Sequence, residues 1–477
     1  MTLAAVTLWG REIGAVSVDG PTGVPVFQYT PEFARSGIEL SPIRMPLRAA
    51  PYTFPELLRV PAFNGLPGLL ADALPDRWGR ALVSAWLHAQ GRSEAGFDVV
   101  ERLCYVGSRG MGALEFEPAI DLDDADPDRD LQVHLLVELA TEVLSQRERF
   151  VAELSRDPSE ATMQAILAIG TSAGGARPKA VIAYNERTGQ VRSGQARAPA
   201  GFTHWLIKFD GVDGSGDRGL RDPQGWGAVE YAYWRMARAA GIEMTDSRLL
   251  EENGRRHFMT RRFDRTDAGG KLHVQTIAAL EHADYDAPGA YSYEQAFALL
   301  RRLGLDAVAA EQLYRRMAFN VVARNQDDHV KNVAFAMGRD GAWRLAPAYD
   351  LTWAYRPGNR WLHAHQMTIN GKRDDFTVED LRAVARFAGL KRGRGEAILR
   401  EVADVVAAWP AFADEVGVDE RLRDAAAASP RPSPPPAADG RPPPSRGAAA
   451  GAGGGAVRCR PRGRRAAPGR PPGSPAP

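Results

Sequence analysis

NQDDHVKN, residues 325–332, decides how this chain is read. Two carboxylates, an imidazole, an ammonium and three carboxamides crowd one connection between a helical pattern ending at Val322 and the apolar strand VAFAM (333–337). Polar runs also merely end helices, but that leaves the crowding unexplained. The spacing Asp327-x-x-x-x-Asn332 is that of a protein-kinase catalytic loop, where the Asp accepts the acceptor hydroxyl's proton and the Asn ligates Mg²⁺. Downstream, LAPAYDL (345–351) places Asp350 eighteen residues after Asn332, with room for VAFAMG, a GRDGA turn and the strand AWRLA. A hairpin between the loop Asn and a second metal-binding Asp is also the kinase arrangement. Taken singly, Asp350 reads equally well as an Asp opening a turn, and Asp-Leu stands where Asp-Phe-Gly is usual.

Two upstream features point the same way. SAGGARPK (172–179) is a Gly-rich turn entering an apolar strand; adjacent glycines let backbone N–H groups approach an anion, although a plain turn is the commoner meaning and Walker A spacing is absent. Lys208 closes the strand WLIKF, flanked by apolar residues, and suits a point-charge phosphate clamp; an edge-strand lysine that discourages aggregation is commoner. Between them and the loop, Ala228–Ala240 carries Val229, Tyr233, Met236 or Ala237, and Ala240 on one helical face, with Glu230 on an adjoining one. Together these features favour phosphoryl transfer.

Further from the loop, residues 5–29 alternate as short strands around an Asp19-Gly20-Pro21 turn, and 72–89 reads as helix after a stretch punctuated by Gly65, Pro67 and Pro75. Residues 104–118 read as strand, DLDDADPDRD (121–130) as a linker, 131–154 as an amphipathic helix and 292–322 as helical. Strands first and helices later predict an α+β body in two lobes. The 477 residues, 44% apolar, are ample for a core. Two cysteines, Cys104 and Cys459, make no disulfide framework, which fits a reducing compartment, and Cys104 reads as a small buried hydrophobe. The start, MTLAAVTLWGRE, lacks the pattern of a signal peptide, and no window offers about 18 consecutive apolar residues, so no membrane span is expected. His363 and His365 would face one side of a strand but have no third ligand nearby and read as structural; no GxSxG elbow supports a hydrolase. From Ser429 onward the chain is nearly all Pro, Ala, Gly, Arg and Ser. This tail carries +8 against +1 for the whole chain, so the body is −7, which argues against a broad nucleic-acid surface. Such a tail is expected to be disordered, either as an RNA-binding arm or, more simply, as GC-rich sequence read out of frame.

The ordered set FNGLPGLLADALPDRWGR (63–80), YVGSRGMGALEFEP (105–118), SAGGARPKA, HWLIKFD, TRRFDR (260–265), NQDDHVKN and LAPAYDL resembles the HipA-type serine/threonine kinase toxins of bacterial type II toxin–antitoxin modules, over nearly all of 1–428. The resemblance implies a two-lobed protein-kinase-like fold, with a β-rich N-lobe, an additional N-terminal subdomain and an all-helical C-lobe. The implied divisions are 1–118, 131–260 and 261–428, with the tail at 429–477. It further implies ATP and Mg²⁺, with Gly174, Gly175, Ala176, Arg177, Pro178 and Lys179 in the loop over the phosphates and Lys208 contacting them. Arg261, Arg262 and Phe263 match the interlobe hinge beside adenine, where Arg261 replaces a usual acidic residue. Asp327 matches the catalytic base, His329, Lys331 and Asn332 complete its loop, and Tyr349 joins the nucleotide contacts. Asn332 and Asp350 match the Mg²⁺ ligands. Ser172, with Thr171 beside it, matches the serine whose autophosphorylation silences such kinases. Glu230 is our own choice for the helix glutamate pairing with Lys208. The partners implied are an aminoacyl-tRNA synthetase as substrate, a HipB-like helix-turn-helix antitoxin, and operator DNA mainly through that antitoxin, in the cytoplasm. Two other outcomes stand beside this: an idle pseudokinase acting as co-repressor, and a small-molecule kinase of related fold. The joint presence of Lys208, Asp327, Asn332 and Asp350 favours an enzyme.

Overall fold

A computed structural model describes residues 1–20, 23–89, 91–120, 130–145, 177–194, 198–212 and 224–429. The first sheet is antiparallel, β1 (Thr2–Leu8), β2 (Arg11–Val18), β3 (Val26–Tyr29), β4 (Tyr52–Thr53) and β5 (Leu114–Glu117), in the order β4-β3-β2-β1-β5. β1 and β2 turn through Trp9 and Gly10, both at positive φ, the two-residue geometry that suits strand twist. Val6, Ile13, Val16, Phe27 and Phe116 fill its inner face.

The expected strand over 104–118 is only Leu114–Glu117 here. Cys104 to Val106 instead close a helix, which follows from a capping box at Asp98 and Glu101. The short apolar run CYV has no period of its own, and the helix signal lies upstream of it. The helix expected over 72–89 starts later than its pattern. α1 is Gly68–Ala71, and α2 begins only at Arg77 and runs to Ala89, because Pro75 interrupts the ladder. α3 is Val99–Val106 and α4 is Val133–Ser145; the expected continuation to 154 lies outside the described residues.

The second sheet, β6 (Lys179–Tyr184), β7 (Val191–Ser193), β8 (Thr203–Lys208), β9 (Ser247–Glu252) and β10 (Arg255–Arg261), runs β7-β6-β8-β10-β9, all antiparallel. Trp205, Ile207 and Met259 pack with Trp78 and Leu82 of α2 and with Val133 and Val137 of α4. Pleat alternation sends Lys208 and Phe258 to the opposite face, where α5 (Trp226–Ala239) lies. Val229, Tyr233 and Met236 of α5 belong to the largest core, shared with the helices that follow. α5 therefore couples sheet to bundle.

Those helices are α6 (Ile277–Glu281), α7 (Tyr293–Arg302), α8 (Ala307–Val322), α9 (Val378–Phe387), α10 (Arg394–Ala407), α11 (Trp409–Val416) and α12 (Glu420–Ala427). The pattern over 292–322 is thus two helices, separated at Gly304 and restarted by the N-cap Asp306. The second lobe is not all-helical. β11 (His273–Thr276), β12 (Ala334–Met337) and β13 (Trp343–Leu345) form a third antiparallel sheet, because the apolar runs on either side of the GRDGA turn pair as a hairpin. Ser429, expected to begin the tail, is buried and accepts a hydrogen bond from Trp353 Nε1 at 3.1 Å; residues 430–477 lie outside the described residues.

Candidate active site

Lys208 is the centre of the site. Its ammonium lies 2.5 Å from Glu230 Oε1 and also pairs with Asp350 Oδ1. Strand β8, helix α5 and the segment after β13 thus bring one cation and two carboxylates to one point. Glu230 is 2% exposed, so the face that adjoins the apolar stripe of α5 is itself buried. Burial works against the charged form of Lys208, but Asp350 and Glu230 overcome it and raise its pKa. Burial likewise disfavours the Asp350 carboxylate; Lys208 and Lys179 outweigh this and bring its pKa down to about 2. Asp350 sits at φ +53°, a left-handed conformation uncommon outside glycine, and Asn325 Nδ2 donates to its carbonyl at 3.3 Å.

Lys179 opens β6 opposite Lys208 in register. Its ammonium is buried and pairs at 3.3 Å with Asp76, a residue of the N-terminal segment that the sequence did not single out. Burial pushes Asp76 up and Lys179 down, and their mutual attraction opposes both shifts. Asp76 Oδ1 also accepts from Gly79 N, fixing the start of α2 against the site. Arg177 lies 3.5 Å from Glu230 and 5.2 Å from the Trp226 ring centre, and the Pro178 carbonyl accepts from Phe209 N. Thr171, Ser172, Gly174, Gly175 and Ala176 lie outside the described residues.

The loop 325–332 faces this cluster. Asn332 Nδ2 donates to the Asp327 carbonyl at 2.8 Å, closing the loop on itself and leaving its oxygen to turn elsewhere. His329 is close enough to Asp350 to help hold that carboxylate ionised. Lys331 lies over the Tyr285 ring at 4.8 Å, and its carbonyl accepts from the Tyr349 hydroxyl at 2.6 Å. Asp328 is fully enclosed: Tyr293 OH and His365 Nδ1 meet Oδ2 at 2.8 and 2.9 Å, and Gln366 N donates to Oδ1 at 2.7 Å. Burial would raise its carboxyl, but His365 and these donors hold it below the usual range. His365 is not in a strand and does not share a face with His363; it faces Asp328, a structural role of a kind its sequence neighbours did not reveal.

At the expected hinge, Phe263 stacks on Tyr349 at 5.9 Å over a small apolar bed of Ala334, Ala336 and Ala346. The Arg261 side chain reaches exposed Asp267. Arg262 is turned to buried Asp264 and to the Gly110 carbonyl, so its guanidinium braces the hinge against the N-terminal segment. Burial disfavours the Asp264 carboxylate, but Arg262 and Arg265 keep it well below the usual carboxyl range. Asp76, Asp328, Gln366 and Asp264 are the site-forming residues that motif spacing did not reveal. Each depends on contacts more than 35 positions away in the chain, at Lys179, His365, Gln326 and Gly112 respectively.

As for a divalent cation, Asp350 and Asn332 offer a carboxylate and a carboxamide oxygen. Among the described residues no group of three or more His, Cys, Asp or Glu could hold a metal by itself. Two hard oxygen donors fit Mg²⁺, which keeps several waters and takes further ligands from substrate phosphates. The carboxylate already draws the Lys208 ammonium, so it is placed to face a cation.

A family model described as the HipA-like C-terminal domain matches residues 171–409, and one described as the HipA N-terminal domain matches residues 4–117. The solved complex of the Shewanella oneidensis MR-1 toxin–antitoxin system HipA, HipB and its operator DNA contains a similar chain. It has a TM-score of 0.64 at 18% identity, covering 89% of this chain and 94% of that one. The two share the fold. The Helicobacter pylori proinflammatory kinase CtkA covers 53% of this chain and 91% of its own at a TM-score of 0.30 and 13% identity. No curated protein matches in sequence.

Proposed function

The chain belongs to the HipA family, with its two-lobed kinase-like fold, and from that premise we propose that it is an ATP- and Mg²⁺-dependent serine/threonine protein kinase. The observation that carries this reading is the meeting of Lys208, Glu230 and Asp350, drawn from three separate segments, opposite the loop of Asp327 and Asn332. A structural ion pair needs one partner of each sign. A lysine shared by two carboxylates, with a second buried lysine close enough to act on Asp350, suits a site that accepts a polyanion.

In the reaction, Lys208 and Lys179 offset charge on the phosphates, and Glu230 holds Lys208 in place. Asp350 and Asn332 would hold Mg²⁺, which when bound neutralises charge developing on the transferred group. Asp327 takes the proton of the acceptor hydroxyl as its oxygen bonds to the γ-phosphorus and the bond to the ADP oxygen breaks. Phe263 and Tyr349 supply an apolar surface for the adenine, and the backbone of Arg261 and Arg262 runs beside it. The Arg262 side chain serves the hinge rather than the nucleotide.

Within this reading the protein is the growth-arresting toxin of a toxin–antitoxin pair. It phosphorylates an aminoacyl-tRNA synthetase and, at Ser172, itself, and it binds a HipB-like antitoxin that carries it to operator DNA. The Shewanella HipA assembly with HipB and operator DNA supports the last pairing. The test is incubation with labelled ATP-Mg²⁺ and cell extract, followed by identification of labelled proteins. Asp327→Ala should lose about 10²–10⁴ in rate; label transfer by that variant at the parent rate would overturn the assignment.

A further inference from the structure

Beside the loop 325–332 the surface opens into a shallow cleft. α2 forms one wall with Arg80, Val83 and Leu87, the segment into α3 forms another with Phe97 and Arg102, and Lys331 closes the inner end. Lys331 belongs to the same loop as Asp327, and Asp76, which pairs with Lys179, also lines the cleft, so the cleft adjoins the candidate site.

The charges lining it are unevenly matched. The side chains of Arg80, Arg102 and Lys331 make no hydrogen bond or ion pair among the described residues, although Lys331 rests on the Tyr285 ring. The two acids in the lining are already engaged: Asp76 pairs with Lys179, and Glu94 accepts from the Ser84 hydroxyl. Burial, then the nearby charge of Arg80, depresses the Arg102 guanidinium against a smaller opposing pull from Glu94 and Asp98, so the two arginines are close enough to repel. The site has planar donors suited to a carboxylate, set among apolar side chains.

We propose that this cleft receives the acceptor polypeptide and that Arg80 and Arg102 bind an acidic side chain close to the serine or threonine that is phosphorylated. This rests on the kinase reading. It makes the N-terminal subdomain one wall of the acceptor site, with specificity set by residues outside the nucleotide pocket. A protein segment is favoured over nucleic acid on two grounds. The body is net −7, and three cations beside an apolar wall are fewer than the 6–10 phosphate contacts on which nucleic-acid binding commonly relies.

The test is direct binding, read by fluorescence anisotropy of a labelled peptide holding one serine among glutamate and leucine residues, with its glutamine counterpart as control. Labelling of both peptides by ATP is measured in parallel. The acidic peptide should bind and be phosphorylated in preference, and Arg80→Gln/Arg102→Gln should weaken its binding about tenfold while ATP affinity stays unchanged. Arg80→Lys/Arg102→Lys should retain an intermediate preference, which guards against a fold defect in the first variant. Equal binding of the two peptides, no binding, or equal competition by a single-stranded oligonucleotide would each overturn the proposal. Preferential binding without phosphorylation would support the cleft and remove the kinase reading instead.

Discussion

Asp327 cannot wander, because its neighbours on both sides are held. Gln366 alone makes two of the bonds: its backbone N–H donates to Asp328 Oδ1 at 2.7 Å, and its Nε2 donates to the Gln326 carbonyl at 3.2 Å. Asp328 accepts from three donors in a site without solvent. Asn at this position would keep the shape but replace one acceptor oxygen with an NH₂ facing a donor. Asp328→Asn should therefore cost about 2–4 kcal/mol, the range for leaving buried charge-assisted bonds unmet. If its role is to position Asp327, kcat should fall with KM for ATP nearly unchanged. Denaturant midpoints and steady-state kinetics check the two halves separately; loss of stability with an unchanged kcat would leave Asp328 merely structural. Local spacing singled out Asp327, Asn332 and Asp350, because they stand in one loop and just after the hairpin that follows it. Asp328 stood in the same quoted run, but its partner His365 is 37 positions away and no periodicity links them.

At the scale of the element, α5 is the part of the site most exposed to a change in packing. Gly227 crosses β10 so closely that an added Cβ would sit 2.0 Å from the Arg256 carbonyl oxygen. Helix propensity alone favours alanine over glycine by about 1 kcal/mol. The clash is with backbone and cannot be relieved by a rotamer, so overpacking prevails. Gly227→Ala should destabilise by about 1–3 kcal/mol and shift the first turn of α5, drawing Glu230 away from Lys208. Phosphoryl transfer should then fall although no site residue has changed, and a variant at least as stable and as active as the parent would show that α5 does not set Glu230. The apolar stripe of α5 and its neighbouring glutamate could be read from three- and four-residue steps, and the strands carrying Lys179 and Lys208 from their short apolar runs. Close approach at Gly227 could not, because a glycine in a helical pattern carries no mark of what faces it. The same limit explains α3: the capping box was in the sequence at Asp98 and Glu101, but the run CYV that follows fits strand and helix alike.

For the molecule as a whole, three histidines, His257 and His273 buried and His282 half-buried, make the assembly sensitive to acid. His282 Nε2 accepts from Gly68 N at 3.0 Å, between rings of the N-terminal segment at Phe54 and Phe63. His273 reaches the Leu40 carbonyl, and His257 Nδ1 accepts from Asp210 N at 3.0 Å. A ring nitrogen that accepts from a backbone N–H carries no proton, so His257 and His282 are folded in the neutral form. Burial brings all three down from 6.5 to about 4. Below 6.5 the unfolded chain takes up protons that the folded chain refuses, so the stability present above that pH is lost as the pH falls toward 4. For one such histidine the loss at pH 5 is about 2 kcal/mol. His273 and His282 both lie where the N-terminal segment meets the helical lobe, so acidification should loosen that junction before the helical core itself. Asp76 and the cleft walls belong to the same segment, and the acceptor site should therefore weaken in the same range. His282→Gln keeps an oxygen able to accept from Gly68 N yet cannot titrate. Its urea midpoint should fall less between pH 7 and pH 5 than that of the parent, by on the order of 2 kcal/mol in stability. Parallel curves for the two proteins would mean that the junction does not depend on a neutral His282.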